Sequence, residues 1–135
     1  MRVGDVMTPD PITVRPEMSV ADARALMAKE RIRHLLVTGE AGELIGIVTD
    51  RDIKRALPSP VTSLSVWEVN DLLEKVGVGD IMTKAVITVS PWRDARDAAL
   101  IMVHHKIGAL PVTEEGRLLG ILTETDLLKA FAASA

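Results

Sequence analysis

Apolar residues along this chain switch between two spacings, and they do so twice. Ile12-Thr13-Val14 is a short β-branched run closed by Pro16, which predicts a strand. Val20, Ala23, Leu26 and Met27 then follow at helical spacing. Ser19 stands ahead of them with Asp22 three residues on, the pattern of a capping box. Further strands are predicted at 34–38 and 44–49, joined by a Gly39-Glu40-Ala41-Gly42 turn of hairpin character. Residues 50–57 read as a short second helix, stopped by Pro58 and Pro60. The second pass repeats this order. Ile87-Thr88-Val89 is its strand, Asp94 and Asp97 take the capping positions, and Ala95, Ala98, Ile101 and Met102 form its helical stripe. Each unit is β-α-β-β-α, which places the chain in the α/β (α+β) class.

Residue identities follow the same repeat. Val3-Gly4-Asp5-Val6-Met7-Thr8 returns as Val78-Gly79-Asp80-Ile81-Met82-Thr83, and Gly46-Ile47-Val48-Thr49 returns as Gly120-Ile121-Leu122-Thr123. Roughly 23 of about 54 paired positions are identical, as expected for two copies of one supersecondary unit. The boundaries read as a first repeat at 1–58, a connecting segment at 59–77 and a second repeat at 78–133. Duplicated units can pack about a pseudo-twofold axis, so that a cleft at their junction occurs twice. In the connecting segment, Val66, Val69, Leu72 and Leu73 are spaced for a helix with one apolar face. Trp67 packs either on the core or on another chain, and burial within the chain is the default for a large aromatic.

Composition narrows the picture. A single repeat would bury about 60% of its unfolded surface and the pair roughly 68%, so one shared core is expected. Hydrophobic residues make up 47% of the chain and aromatics 2%, so that core is aliphatic. There is no cysteine, which removes disulfides and thiolate chemistry. A net charge of -3 argues against nucleic-acid binding. The sequence has no apolar run near 18 residues and no basic start followed by an apolar stretch, so a soluble, cytoplasmic protein without a membrane role is expected.

Chemistry concentrates in Thr49-x-x-Asp52 and Thr123-x-x-Asp126. In each, a predicted strand ends in Thr and a helix begins. Unpaired N–H groups at a helix start attract phosphate. A carboxylate three residues on can accept from both hydroxyls of a ribose. The same four residues also make a plain capping box that needs no ligand.

Taken together, Asp-Val-Met-Thr and Asp-Ile-Met-Thr, the two Ile-Thr-Val runs, Ile32-Arg33-His34-Leu35-Leu36-Val37, Ile107-Gly108-Ala109-Leu110-Pro111-Val112 and the two Gly-x-x-Thr-x-x-Asp segments resemble a tandem pair of CBS domains, a Bateman module. The resemblance runs from Met1 to about Ala132. More narrowly, the Pro-Ser-Pro linker, the segment from Trp67 to Leu73 and Ile-Leu-Thr-Glu-Thr-Asp-Leu-Leu-Lys-Ala-Phe are similar to stand-alone proteins of the acetoin-utilisation B type. Such proteins often carry an ACT domain after the pair, and the sequence leads us to expect none here.

The resemblance implies two clefts between the copies that bind adenosine-containing ligands: AMP, ADP, ATP, S-adenosylmethionine or NAD. It implies that Asp52 and Asp126 meet ribose hydroxyls and that Thr49 and Thr123 meet ribose or phosphate. Ile12, Thr13, Val14, Ile87, Thr88 and Val89 would flank the adenine, and Met7, Met82, Val37 and Val112 would wall the base pocket. For the apolar members, ordinary core packing is the competing role. Basic side chains at Arg33 and His34 would hold phosphate, helped by Arg51, since arginine offers a forked set of donors. The second copy has Gly108, Ala109 and Thr125 at these three places, so the two clefts are expected to differ, with phosphate favouring the one around Asp52.

His104 and His105 are adjacent and about 100° apart on a helix, so no metal site is expected. Magnesium could arrive with ATP, and no cofactor is obligatory. No nucleophile–base set or Walker lysine is evident, so a binding module is expected rather than an enzyme. The leading expectation is a sensor that acts in trans on an unidentified protein as a homodimer joined through its helices, with Leu100 and Val103 left apolar for a partner. The alternative is a structural or protein-interaction dimer without nucleotide dependence.

Overall fold

The computed structural model describes residues 1–57 and 65–134. The Pro58 and Pro60 helix stop and the Pro-Ser-Pro start of the linker lie outside the described residues. In chain order the elements are α1 (Val3–Val6), β1 (Thr8–Pro9), β2 (Thr13–Val14), α2 (Val20–Glu30), β3 (His34–Thr38), β4 (Leu44–Thr49), α3 (Asp50–Ala56), α4 (Val66–Lys75), α5 (Val78–Ile81), α6 (Ala95–His105), β5 (Ala109–Glu114), β6 (Arg117–Thr123) and α7 (Glu124–Ala133).

These elements form two compact units, and neither coincides with a repeat. One unit is Ile12–Ala85, whereas the other joins Met1–Pro11 to Val86–Ala135. Each repeat thus contributes its opening Val-Gly-Asp segment to the body of the other. The segment's sequence explains how it docks. Val3 and Val78 are fully buried. Gly4 donates its N–H to Pro91 O and Gly79 donates to Pro16 O, at 2.8 and 2.9 Å. A Cβ on Gly4 would lie 3.2 Å from Pro91 O, and one on Gly79 would lie 3.0 Å from Pro16 Cβ, so a bare α-carbon permits the approach. Asp5 and Asp80 cap their own short helices by accepting from the N–H of Arg2 and Gly77.

In the unit Ile12–Ala85, β2 pairs parallel to β3, and β3 pairs antiparallel to β4. Thr83 extends the outer edge of β4 through reciprocal backbone bonds with Ile47 at 3.0 and 2.8 Å. In the other unit β1 pairs antiparallel to β6, and β6 to β5. There the predicted strand Ile87-Thr88-Val89 shrinks to one parallel bridge, Val89 to Val112. Its neighbours Val86 and Pro91 bound a stretch in which only Val89 is drawn into the ladder, by bonds to Pro111 O and from Thr113 N–H.

The expected single core is instead two clusters. Val14, Val20, Met27, Leu35, Val37 and Val48 build one, joined by Val78 from the exchanged segment. Val89, Ala98, Met102, Leu110, Val112 and Leu122 build the other, joined by Val3. Sharing between repeats is therefore accomplished by exchanged residues. α4 exists as predicted, with Ser65 as its cap, and packs on α2. Only the line Val69, Leu73 and Val76 faces that cluster. Trp67 lies off this line and is 80% exposed, so it does not pack on the core, and Val66 and Leu72 are exposed too. Among the described residues no helix is long and apolar enough to cross a membrane.

Candidate functional site

Both Thr-x-x-Asp segments sit where a hairpin strand turns into a helix. β4 runs into α3 through Thr49, and β6 runs into α7 through Thr123. Asp52 N–H donates to Thr49 Oγ1 at 3.1 Å, and Thr49 N–H donates to Asp52 Oδ2 at 2.9 Å. Asp126 N–H donates to Thr123 Oγ1 at 3.2 Å, and Thr123 N–H donates to Asp126 Oδ2 at 2.9 Å. Both are closed capping boxes. Asp50 N–H also donates to Arg33 O, and Glu124 N–H to Gly108 O, at 3.0 and 3.1 Å. These bonds hold the start of β3 or β5 beside its helix start.

The two carboxylates then diverge. Asp126 Oδ2 also accepts from Thr123 Oγ1 at 3.0 Å, and its Oδ1 accepts from Thr8 Oγ1 at 2.9 Å. Thr8 reaches it on β1, in register with Ile121. Among the described residues, nothing donates to Asp52 Oδ1, and the Thr83 hydroxyl, the counterpart of Thr8, makes no bond to Asp52. Sequence reasoning missed Thr8. Its signal was present in the recurrence of a hydroxyl directly after Met7 and Met82, but a pairing across more than a hundred residues leaves no local pattern.

Charge diverges in the same direction. In the unit Ile12–Ala85, Arg33 and Arg51 are exposed near Thr49 and Asp52, and half-buried His34 pairs with Thr49 across the ladder. The other unit has half-buried Gly108, buried Ala109 and exposed Thr125 in those places, while the acidic first helix residue is common to both, Asp50 and Glu124. His104, His105 and Lys106 lie at the end of α6. The two histidine rings meet edge to face at 5.0 Å and line an open depression with Arg93, Asp97, Leu100 and Val103. Among the described residues no group of three His, Cys, Asp or Glu is arranged to hold a metal ion.

The remaining candidates divide by exposure. Thr13, Thr88 and Ile12 reach solvent, and Ile87 is half-buried. Val14 and Val89 are buried, and Val37 and Val112 have no exposed surface at all. Met7 and Met82 are half-buried against the cluster each segment enters, over Gly120 and Gly46 respectively.

The sequence family described as the CBS domain matches residues 3–59 and 78–133. Among curated proteins the chain is 33% identical to an uncharacterised protein of Methanocaldococcus jannaschii, over 96% of this chain and 90% of that one. It is also 34% identical to the inosine-5'-monophosphate dehydrogenase of Bifidobacterium longum and 36% identical to a homoserine O-acetyltransferase of Methanococcoides burtonii. It spans only 21% and 23% of those enzymes. Among solved structures it is similar to a Vibrio cholerae protein assigned to acetoin utilization (TM-score 0.81, 30% identity, 98% of this chain and 90% of that one). Another is the CBS domain pair of protein MJ0100 in complex with 5'-methylthioadenosine and S-adenosyl-L-methionine (TM-score 0.81, 28% identity, 98% and 96%). A third is CBSX2, known from Arabidopsis thaliana, in complex with AMP (TM-score 0.79, 32% identity, 97% and 96%). Two matched repeats, each closing a Thr-x-x-Asp turn at a helix start, and a family match across both of them lead to one conclusion: the chain belongs to the CBS-domain family, as a tandem pair.

Proposed function

We propose that this chain is a regulatory sensor that binds an adenosine-containing ligand: AMP, ADP or ATP, with S-adenosylmethionine and NAD as further candidates, and with phosphate favouring the position around Asp52. The observation that carries the proposal is its likeness, over 97–98% of its length, to CBS pairs solved with AMP or with S-adenosylmethionine and 5'-methylthioadenosine. Asp52 is the principal ribose acceptor, because its Oδ1 is open among the described residues. Thr49 supports it, and Arg33, Arg51 and His34 supply positive charge for phosphate. Magnesium would enter only with ATP. Similar modules occupy about a quarter of larger enzymes, which supports a role in controlling a protein rather than in catalysis. That control would be exerted in trans, on a partner protein. Exposed Leu100 and Val103 on α6 support a homodimer formed through helices.

Thermal shift and calorimetry with AMP, ATP and adenosine test the proposal. A ligand at 100-fold its dissociation constant adds about 2.7 kcal/mol of stability. Asp52→Ala should remove most of that gain, and binding unaffected by Asp52→Ala would refute the assignment. One observation favours a second reading: both Thr-x-x-Asp boxes are complete as caps without any ligand. If no adenosine compound shifts the melting temperature, an interaction module is the better description.

A further inference from the structure

The two Thr-x-x-Asp carboxylates differ in how many donors they already hold, and one of those donors comes from outside the motif. A carboxylate has about four lone-pair positions for hydrogen bonds. Asp126 has three donors: Thr123 N–H and Thr123 Oγ1 on Oδ2, and Thr8 Oγ1 on Oδ1. Asp52 has one among the described residues, Thr49 N–H on Oδ2. A ribose presents two neighbouring hydroxyls, and each needs an acceptor. Asp52 can take both without giving up a bond. Asp126 can take only one while Thr8 stays in place.

We propose, resting on the adenosine-binding role above, that Thr8 is an internal competitor for ligand at Asp126 and so determines which of the two carboxylates is used. Its hydroxyl mimics the donor that a ribose would bring. Thr8 is carried on the exchanged segment, through the backbone pairing of β1 with β6. Ligand can engage Asp126 fully only by displacing Thr8 Oγ1, which weakens one tie of that segment. The matching position in the other unit, Thr83, provides no such competitor for Asp52 among the described residues.

The test is calorimetry of the full chain with adenosine, which isolates the diol contact from phosphate. On an Asp52→Ala background, Thr8→Val should tighten adenosine binding about tenfold, equivalent to about 1.4 kcal/mol. Thr8→Ser, which keeps the hydroxyl, should restore the weak binding, and Thr83→Val should leave it unchanged. With 2'-deoxyadenosine the gain from Thr8→Val should disappear, which a merely structural effect of the substitution would not produce. If Asp52→Ala fails to fold, the single Thr8→Val variant serves: adenosine stoichiometry should rise from one to two. Unchanged affinity and stoichiometry in Thr8→Val, in a protein whose wild type binds adenosine through Asp52, overturn the role of Thr8 alone. Failure of wild type and all variants to bind adenosine or AMP overturns the sensor role and the competitor role together.

Discussion

Asp52 and Asp126 hold the same position in the two repeats and close the same capping box, yet among the described residues one keeps an oxygen without a donor and the other accepts from the hydroxyls of two threonines. Part of the difference lies inside the motif, in the second bond from Thr123 Oγ1 and in Arg51 against Thr125. The rest comes from Thr8, which the borrowed segment brings to the helix start. Duplication therefore preserves the scaffold, while single residues in and around the motif set the two carboxylates apart.

The sharpest way to break the comparison is to disturb the borrowed segments. A Cβ at Gly120 would lie 2.7 Å from the backbone oxygen of Thr8 and 2.8 Å from Met7 Sδ. At Gly46 the nearest atom is Met82 Sδ, the flexible part of a side chain, at 2.5 Å, with Thr83 O at 3.0 Å. Gly120→Ala should cost about 1–3 kcal/mol by overpacking and Gly46→Ala less, as read by urea denaturation. Equal costs would show that the backbone contact of Thr8 contributes nothing special. Hydrogen exchange should place the loss of protection from Gly120→Ala at β1 and β6.

A smaller effect separates the caps. Thr49→Ala should cost about 1 kcal/mol through loss of an N-cap acceptor. Thr123→Ala should cost more, because its hydroxyl both accepts from Asp126 N–H and donates to Asp126 Oδ2. A Thr123→Ala variant no less stable than Thr49→Ala would deny the extra bond.

The smallest contrast is pH-dependent. α2 is capped by Ser19 and α6 by Asp94. The N–H of Arg96, donating to Asp94, holds its carboxyl below the ordinary 3.8. A depressed carboxyl adds stability that is present above its unfolded value and is lost as pH falls through the folded one. Acid titration below about pH 3.8 should therefore loosen the start of α6 before that of α2. In Asp94→Ser, amide exchange at the two helix starts should change together with pH.

Much of this was legible in the sequence, where local pattern carries the information. The hairpin strands at 34–38 and 44–49 and the helix caps at Ser19, Thr49 and Thr123 follow from β-branched runs and hydroxyl–acid spacing, and the structure has them. The four-residue helices α1 and α5 are too short for a periodicity to register. The pairing of Thr8 with Ile121 has no signature in either neighbourhood, so the exchange of segments and the bond to Asp126 stayed hidden. Trp67 misled because general burial of aromatics says nothing about which side of α4 faces the cluster.

The crossed segments also order events during synthesis. Thr8 is made first but must wait for Ile121, roughly 6–23 s at about 5–20 residues per second. Meanwhile β3 and β4 emerge with the edge meant for Thr83 still bare, and Val3-Gly4-Asp5-Val6-Met7-Thr8 is made before its repeat at 78–83. The nascent chain thus passes through an interval in which the early segment can take the wrong berth. Val78-Gly79-Asp80-Ile81-Met82-Thr83, once made, competes with it for the same edge.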